Sequence, residues 1–328
     1  MLPNNNKKTL PPLIYKVEAA ALRLDAYLSL KSHRSRVFIQ EQIKGGHVTI
    51  NGQKVIKSSS PLRKGDQIVL EINETPLASP IKAIPGELNI IYEDKGIMAL
   101  NKPAGLVVHP GAGNREYTLV SHLLHYLKTD EFAGLSDERP GIVHRLDVGT
   151  TGLLLIAKDR KNLELLSNLF KERKIKKIYR ALVWGKMPLS GMYESSLGRD
   201  TKNRQKISSR TTKGRTAITR WKTLERFGHF SYVQLSPETG RTHQLRVHLS
   251  EDGHAVVGDP TYGNQNRGKS LLAEPVQLAL HSLNHTLLHA YELNFSHPST
   301  QAIMQFNAPL PEDFNSMLTL LRKYDPCA

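Results

Sequence analysis

A charged segment that leads into an apolar run constrains this chain more than any other feature. The segment GIVHRLDVGTTGLLLIAK spans 141–158, where His144, Arg145 and Asp147 precede a small-residue turn and the apolar run 153–157. A short apolar run bounded by turn residues is typical of a buried strand. An aspartate beside such a strand and next to an arginine is poised to act as a nucleophile or as a base. The alternative is a structural turn in which the aspartate caps backbone amides.

The charge of the chain favours a polyanionic partner. Of its 328 residues, 45 are Lys or Arg and 30 are Asp or Glu, which gives a formal net charge of +15. Such a field attracts nucleic acid or an anionic membrane. The apolar runs are far shorter than the roughly 20 residues of a membrane-spanning helix, so we expect nucleic acid and no membrane. Cys327 is the single cysteine, which excludes an internal disulfide and a cysteine-rich zinc site and is typical of a cytoplasmic protein.

A proline-rich stretch divides the chain. Residues 73–87 contain three prolines and show no convincing periodicity, which predicts an interdomain linker. We therefore expect a small N-terminal domain over 15–72 and a larger domain over 88–325. Residues 1–14 are polar and are expected to form a disordered tail.

The small domain shows the patterns of two helices and a hairpin. The helices are predicted at 22–30 and 35–43, with Ser35 as the N-cap of the second. The Asn-Gly pair at 51–52 predicts a hairpin turn, and a further strand follows at 67–72. These elements carry many Lys and Arg residues.

The text of the small domain resembles that of the S4 domain, a small RNA-binding module. The matching text is ALRLDAYL, HRSRVFIQEQIKGGHVTINGQKV and LRKGDQIVLEI. The resemblance implies that Arg34, Arg36 and Lys44 contact RNA. The alternative is that these cations form an ordinary solvated surface.

The larger domain begins with two short predicted strands at 88–92 and 96–101. Helices are predicted at 118–127 and 159–172 from apolar residues that fall on one face of each. The second helix begins at Asp159 or its neighbour.

Two basic stretches follow these helices. Residues 171–186 contain seven Lys or Arg against one acid, and residues 199–222 contain nine against one acid. Alternation over 178–183 indicates a strand, whereas the second stretch predicts a mobile loop followed by a strand at 216–223. Charge runs are usually solvated faces, but on a chain this basic they suggest contacts with RNA phosphates.

The segment 237–248, PETGRTHQLRVH, predicts a turn followed by a helix that begins near Thr242. An arginine directed inward from such a helix needs a carboxylate, and for Arg246 the obvious candidate is Asp147. His243 and His248 lack the spacing of a helical zinc pair and have no acidic residue placed nearby, so no metal site is expected.

Together these segments resemble the RluA family of pseudouridine synthases. The matching text is LNKPAGLVVHPGAG, GIVHRLDVGTTGLLLIAKD, KKIYRALVWG, ETGRTHQLRVHLSEDGHAVVGDPTYG and LLHAYELNFSHP, in this order. Three features resemble the branch of the family that acts on large-subunit ribosomal RNA. They are the S4-like text in front, the Thr-Thr-Gly ending of the motif that contains Asp147, and the HPGAG loop at 109–113.

The resemblance implies a fold and a set of roles. The fold would be α+β, with a mixed, largely antiparallel sheet around an RNA cleft and a small α/β S4 domain in front. Asp147 would be the catalytic carboxylate, Arg246 its partner, and Tyr179 would lie against the target uracil. Arg145 would fill the space that the extruded uridine leaves. Further RNA contacts are predicted for Lys174, Lys176, Lys177 and Arg241.

The sequence leaves several alternatives open. The chain could modify transfer RNA, or act on large-subunit RNA through another branch of the family. It could also be a catalytically silent protein that binds RNA during ribosome assembly. Isomerisation retains all the atoms of its substrate, so no cofactor is expected, and we expect a monomer that binds free rRNA or an assembling large subunit.

Overall fold

The computed structural model describes residues 11–18, 23–32, 34, 36–72, 81–110, 116–128, 132, 140–203, 206–263 and 271–327. The chain divides into two compact units, 1–80 and 81–328, and the division falls within the predicted linker. The predicted cap Ser35, most of the predicted tail and the glycines of the HPGAG loop lie outside the described residues.

The first unit packs two helices with an antiparallel sheet of four strands in the order β1-β4-β2-β3. Its elements are β1 (Leu13–Lys16), α1 (Leu24–Ser32), α2 (Arg36–Lys44), β2 (Val48–Ile50), β3 (Gln53–Lys54) and β4 (Gln67–Leu70). The tail was predicted two residues too long, because Leu13 and Ile14 already belong to β1. Leu13 and Tyr15 pack against the core of this unit, which explains why the strand begins there.

A buried aspartate organises the helices of the first unit. Asp25 accepts hydrogen bonds from Arg23, from Arg36 at 2.8 Å and from Gln40 at 2.6 Å. Burial opposes the charge of Asp25, but the bonds from Arg36, Arg23 and Gln40 lower the pKa of its carboxyl well below the usual range. One of the predicted RNA contacts, Arg36, therefore also has a structural role.

The second unit contains a sheet whose main path runs in the order β10-β9-β11-β12-β8-β13-β7-β6-β5, with β14 paired to β13. Its strands are β5 (Ile90–Glu93), β6 (Ile97–Lys102), β7 (Thr151–Ala157), β8 (Lys176–Trp184), β9 (Ser190–Arg199), β10 (Ile207–Ser208), β11 (Arg215–Arg226), β12 (Phe230–Pro237), β13 (Leu288–Ser296) and β14 (Ile303–Asn307). Its helices are α3 (Leu119–Leu127), α4 (Arg160–Lys171), α5 (Gln244–Glu251), α6 (Glu274–Ser282) and α7 (Glu312–Tyr324).

The predicted mixed, largely antiparallel sheet is confirmed. All its described strand pairs are antiparallel except β7 with β13, which run parallel. Gly152 in β7 makes this contact possible, since it has a φ of 104° and its backbone lies against Ala290 of β13. A side chain at this position would collide with the carbonyl oxygen of Ala290, so only glycine fits.

Two helix starts match local sequence signals. Asp159 is the N-cap of α4 and accepts a hydrogen bond from the backbone N–H of Asn162. Thr118 caps α3 in the same way through Ser121. In the second basic stretch, where the sequence predicts a mobile loop, the structure places the end of β9, the short strand β10 and the start of β11. Within the described residues, no helix is both long and apolar enough to cross a membrane.

Candidate active site

An ion pair joins the first motif of the second unit to the third. The Oδ2 atom of Asp147 accepts a hydrogen bond of 2.9 Å from the guanidinium of Arg246. Asp147 lies in the loop that precedes β7, and Arg246 lies in the first turn of α5. The side chain of Arg246 is 8% exposed and that of Asp147 is 20% exposed, so the carboxylate remains accessible while its partner is buried. The structure thus brings together the two residues that the sequence pairs.

A second carboxylate fixes the orientation of this arginine. Asp259 is fully buried and binds Arg246 through two hydrogen bonds, from Nε at 2.7 Å and from a terminal nitrogen at 2.8 Å. The Oδ1 atom of Asp259 also accepts backbone N–H bonds from Thr261 and Tyr262. The guanidinium lies over the ring of Tyr262, 5.0 Å from its centroid. Because both edges of the guanidinium are occupied, it has one orientation toward Asp147.

The charges within this cluster support one another. Burial opposes the charge of Arg246, but its bonds to Asp259 and Asp147 raise the pKa of the guanidinium. Burial likewise opposes ionisation of Asp259, and the bonds from Arg246 lower the pKa of that carboxyl. Arg246 therefore remains a cation, and the two carboxylates that flank it compensate its charge.

Tyr179 is presented to the same site by β8. Its strand position pairs with Leu235 of β12 on one side and with Ala290 of β13 on the other. Burial, helped by the negative charge of Asp147, raises the pKa of Tyr179. Its phenol is therefore neutral at physiological pH, and it offers both an aromatic face and a hydroxyl donor.

Two cavities meet at Asp147. One, of about 510 Å³, is lined by Tyr179 and by cationic side chains, and the other, of about 640 Å³, lies against the loop that follows β6. Both cavities are lined by Arg145, Asp147, His243 and Arg246. The carboxylate can therefore be reached by a ligand the size of a nucleotide from either side.

A buried lysine supports the loop that carries Asp147. The Lys102 ammonium donates hydrogen bonds to the carbonyl oxygens of Pro103 at 2.8 Å, Leu106 at 3.0 Å and Val148 at 3.3 Å. Burial lowers the pKa of Lys102 to about 8, an effect that the charge of Asp147 partly offsets. These bonds tie the residue after Asp147 to the end of β6.

His144 anchors the other side of this loop. Its Nε2 atom accepts a hydrogen bond of 2.8 Å from the backbone N–H of Leu155, and its ring lies 4.5 Å from the ring of Phe170. Burial, with a smaller effect from the charge of Lys177, lowers the pKa of His144 to about 3. The ring is therefore neutral and connects the loop to β7 and α4.

The predicted RNA contacts of the second unit divide into two groups. Arg145, Lys177 and Arg241 line the cavity of about 510 Å³, together with Lys171 and Arg173. Lys174 and Lys176 are exposed and do not line this cavity, and Lys174 forms an ion pair of 2.7 Å with Glu172.

The predicted RNA contacts of the first unit differ in their exposure and in their partners. Arg34 and Lys44 are exposed, and the guanidinium of Arg34 lies 5.4 Å from the ring centroid of Phe38. Arg36 is bound to Asp25, yet about half of its side chain is exposed.

Sequence reasoning did not assign several residues of this site. Asp259 lies within the text that matches the family, and its position in a Gly-Asp-Pro sequence is a signal that backbone geometry matters there. Gly258 has a φ of 76°, and a side chain on it would collide with the carbonyl oxygen of His285. His243 was considered only as a metal ligand, and Tyr262 was not considered. The contacts of Asp259, His243 and Tyr262 join segments that are separated in sequence and meet only in the folded chain.

Comparison with known proteins shows which families the two units resemble. Residues 96–251 match the family model described as RNA pseudouridylate synthase, and residues 22–68 match that of the S4 domain. Ribosomal large subunit pseudouridine synthase D of Neisseria meningitidis is 40% identical over 315 residues, which cover 94% of this chain and 81% of the relative. The protein of the same name from Pseudomonas aeruginosa is 37% identical over 311 residues, which cover 93% and 94%.

Solved structures show a similar fold. Human RNA Pseudouridylate Synthase Domain Containing 4 is 27% identical, with a TM-score of 0.56 over 71% of this chain and 93% of the human chain. Human RNA Pseudouridylate Synthase Domain Containing 1 is 25% identical, with a TM-score of 0.53 over 74% of this chain and 100% of the human chain.

Proposed function

This chain belongs to the RNA pseudouridylate synthase family, and we propose that it converts specific uridines of large-subunit ribosomal RNA to pseudouridine. The enzyme class follows from the family. The RNA class is supported by relatives from two bacteria that are named for the large ribosomal subunit and match over more than 90% of this chain. The observation that carries the proposal is the Asp147–Arg246 ion pair of 2.9 Å where the two cavities meet.

The reaction exchanges one glycosidic bond for another. The bond between N1 of uracil and C1′ of ribose breaks, the uracil turns, and a bond forms between C5 and C1′. C5 loses its proton and N1 gains one, so that substrate and product contain the same atoms. No oxidant, reductant or energy source enters this balance. The enzyme must therefore stabilise charge, hold the freed uracil and move a proton.

Asp147 and Tyr179 are the two groups that we propose to meet the nucleoside. The accessible carboxylate of Asp147 acts on it as a nucleophile, at the sugar or the base, or as a base toward the sugar. Tyr179 presents its ring to the uracil as a stacking surface, and its neutral hydroxyl can relay a proton. Arg246 keeps the carboxylate oriented through the reaction.

The cationic residues that line the cavity of about 510 Å³ favour extrusion of the target uridine from the RNA. A uridine inside folded RNA must leave its stack before it can reach Asp147, at a cost of a few kcal/mol. We propose that Lys177, Arg241 and neighbouring cations contact phosphates and offset this cost. Arg145, which is exposed between the two cavities, occupies the space from which the base has moved.

The activity is tested by tritium release from RNA labelled at C5 of uridine. Pseudouridine formation replaces the C5–H bond with the C5–C1′ bond, so each turnover transfers one tritium to water. We expect release by the purified protein without any added cofactor. Absence of release from large-subunit RNA, whether free or in immature particles, would contradict the proposal.

The substrate is identified by mapping pseudouridine in total RNA from cells that lack this protein. We expect loss at specific positions of large-subunit rRNA, with restoration by the wild-type chain. Loss confined to transfer RNA would retain the enzyme class and overturn the proposed substrate.

We also propose that the protein acts as a monomer in the cytoplasm, where ribosomal subunits assemble.

A further inference from the structure

His243 lies beside the proposed catalytic carboxylate without a hydrogen bond to it. Its Nε2 atom is 3.9 Å from Oδ1 of Asp147, which is too long for a hydrogen bond. The two side chains are 23% and 20% exposed, and both line the two cavities that meet at Asp147. The two atoms therefore border a position that a ligand can reach.

The neighbours of His243 favour the tautomer whose proton is on Nε2. The hydroxyl oxygen of Tyr262 accepts a hydrogen bond of 2.9 Å from the backbone N–H of Ile207. The hydroxyl proton is then available to the Nδ1 atom of His243, which lies 2.8 Å away. With Nδ1 as the acceptor, the neutral ring carries its proton on Nε2. His243 thus directs an N–H donor toward the position beside Asp147.

The charge state of the ring agrees with this assignment. Burial lowers the pKa of His243, and the smaller effects of Asp147 and Arg246 oppose each other. Burial also raises the pKa of Tyr262, so its hydroxyl keeps the proton that it donates. At neutral pH the pair is therefore a phenol and a neutral imidazole.

The backbone at His243 adopts a conformation that is uncommon for residues other than glycine. Its φ of 55° lies in the left-handed region, and its side chain caps no amide of α5. Glycine and asparagine adopt this conformation more readily than histidine does. Residues other than glycine in this conformation cluster at active sites and ligand-binding segments.

A hydroxyl group fits the position between these two side chains. Arg246 already binds Oδ2 of Asp147, whereas Oδ1 is the oxygen nearer to His243. An oxygen about 2.8 Å from both Oδ1 and Nε2 satisfies normal hydrogen-bond lengths across a separation of 3.9 Å. It would have to donate to the carboxylate and accept from the imidazole, which a hydroxyl does and a carbonyl or an ammonium does not.

We propose that His243 and Asp147 together bind the ribose 2′-hydroxyl of the target nucleotide and so make the site specific for RNA. This inference rests on the proposed function, because it places the target ribose beside Asp147. The 2′-hydroxyl is the group by which a protein distinguishes RNA from DNA at a given nucleotide. His243 is thereby a specificity-determining residue that contacts the substrate.

The test combines a change in the protein with a change in the RNA. Two RNA oligonucleotides are made around a mapped target uridine, identical except that one has a 2′-hydroxyl and the other a 2′-deoxyribose at that nucleotide. Each is assayed with the wild-type enzyme and with His243→Asn, for kcat/KM by tritium release and for the dissociation constant. Asparagine tolerates the left-handed backbone, but its side chain is shorter. His281→Asn, an exposed substitution on α6 outside both cavities, is the control.

The proposal predicts coupling between the two changes. With the 2′-hydroxyl present, His243→Asn should lower kcat/KM about tenfold, as expected for one hydrogen bond in a site of this kind. With the 2′-deoxy RNA, the same substitution should change kcat/KM, or the dissociation constant if turnover is too slow, by less than about twofold. His281→Asn should behave as the wild type with both RNAs.

The proposal would be overturned if His243→Asn lowered kcat/KM by the same factor on both RNAs. A substitution that only disturbs the loop affects both RNAs alike. A wild-type enzyme that binds and converts both RNAs equally well would also overturn it. Either result leaves the proposed function intact, because the wild-type rate on the all-ribose RNA reports that function separately.

Discussion

Arg246 is held between two carboxylates, and this arrangement serves geometry more than stability. Burying an ion pair costs several kcal/mol per ion, which the attraction between the charges only partly recovers. The structure nevertheless places Arg246 and the fully buried Asp259 together with two short hydrogen bonds. The effect is a cation that faces Asp147 in one fixed orientation. We interpret the cost as the means by which the proposed catalytic carboxylate, Asp147, is positioned.

Replacing this arginine with lysine tests that interpretation. Arg246→Lys retains one positive charge but cannot bind Asp259 through two bonds while also reaching Asp147. We expect kcat for tritium release to fall about 100-fold, equivalent to about 2.7 kcal/mol, with a smaller change in RNA affinity. The matched control is Arg322→Lys on α7, where an exposed arginine binds both oxygens of Glu225. The control should keep wild-type activity, and an Arg246→Lys enzyme that does the same would contradict the role of the bound guanidinium.

Asp259 is predicted to act through Arg246 rather than on the substrate. Asp259→Asn keeps an oxygen for the backbone N–H groups of Thr261 and Tyr262 but loses the negative charge and one acceptor for the guanidinium. We expect kcat to fall about tenfold while KM changes little, because the substitution loosens the orientation of Arg246 and leaves the RNA contacts in place. Misfolding would also lower the apparent kcat at an unchanged KM, so kcat is referred to the concentration of RNA-binding sites measured by titration. An increase in KM with unchanged kcat would show that Asp259 acts on binding instead.

At the scale of elements, the sequence predicts those helix ends and strands that depend on residues close together in the chain. Helix α4 begins at its predicted cap, Asp159, and β7 contains the predicted run of apolar residues. These signals are local, because a cap or an apolar run acts over a few residues. The sequence did not predict the strand β10, which lies in a stretch dominated by charge. This strand pairs with β9, and the backbone N–H of Ile207 binds Tyr262 more than 50 residues away.

Long-range contacts complete the site, and they were the least accessible to sequence reasoning. The Asp147–Arg246 pair was predicted because an inward arginine needs a carboxylate and because the family resemblance supplied a candidate. The contact of Asp259 with Arg246 was not predicted, because no local pattern in the Gly-Asp-Pro turn indicates which distant residue it binds. The parallel pairing of Gly152 with Ala290 joins residues 138 positions apart and depends on the whole sheet.

His144, in the loop before β7, should make the free energy of unfolding depend on pH. Above about pH 3 the folded protein keeps His144 neutral, whereas an unfolded imidazole binds a proton below about pH 6.5. The stability that comes from the neutral ring is complete above pH 6.5 and is lost as the pH falls from 6.5 toward 3. His144→Gln should therefore have a shallower loss of stability between pH 7 and pH 5, by up to about 1.4 kcal/mol per pH unit.

Denaturant unfolding at pH 7, 6 and 5 measures this difference. The exposed substitution His281→Gln on α6 should retain the pH dependence of the wild type. If His144→Gln also retains it in full, the ring is not the neutral acceptor for the backbone N–H of Leu155.

Residues 171–176, from the end of α4 to the start of β8, should account for part of the salt dependence of RNA binding. Lys171 and Arg173 are exposed at the cavity of about 510 Å³, whereas Lys174 and Lys176 are exposed but do not line it. Each phosphate contact that is lost should reduce the slope of log affinity against log salt by about 0.7 to 0.9. We expect the double substitution Lys171→Gln with Arg173→Gln to reduce this slope by about 1.5.

The matched control removes the same charge from the same segment. Lys174→Gln with Lys176→Gln should change the slope by less than half as much, although these two residues were predicted from sequence as RNA contacts. Equal changes for the two double variants, measured by binding titrations over a range of salt concentrations, would show that the cavity lining has no special part.

At the scale of the whole molecule, cations are spread over both units, whereas the proposed catalytic residues all lie in the second. The net charge of +15 attracts RNA without selecting a nucleotide. The first unit matches an RNA-binding module, and the second carries the carboxylate, the arginine and the tyrosine of the site. The order of the motifs along the chain was readable from sequence because each motif is local. Binding and catalysis should accordingly respond to different substitutions.

Asp147→Asn tests the central claim most directly, because it removes the negative charge with almost no change of shape. The measurement is the initial rate of tritium release from RNA labelled at C5 of uridine, at RNA concentrations where wild type and variant are equally bound. The account predicts release by the wild type, no detectable release by Asp147→Asn, and similar dissociation constants for the two proteins. Release by Asp147→Asn at a rate close to that of the wild type would contradict the account.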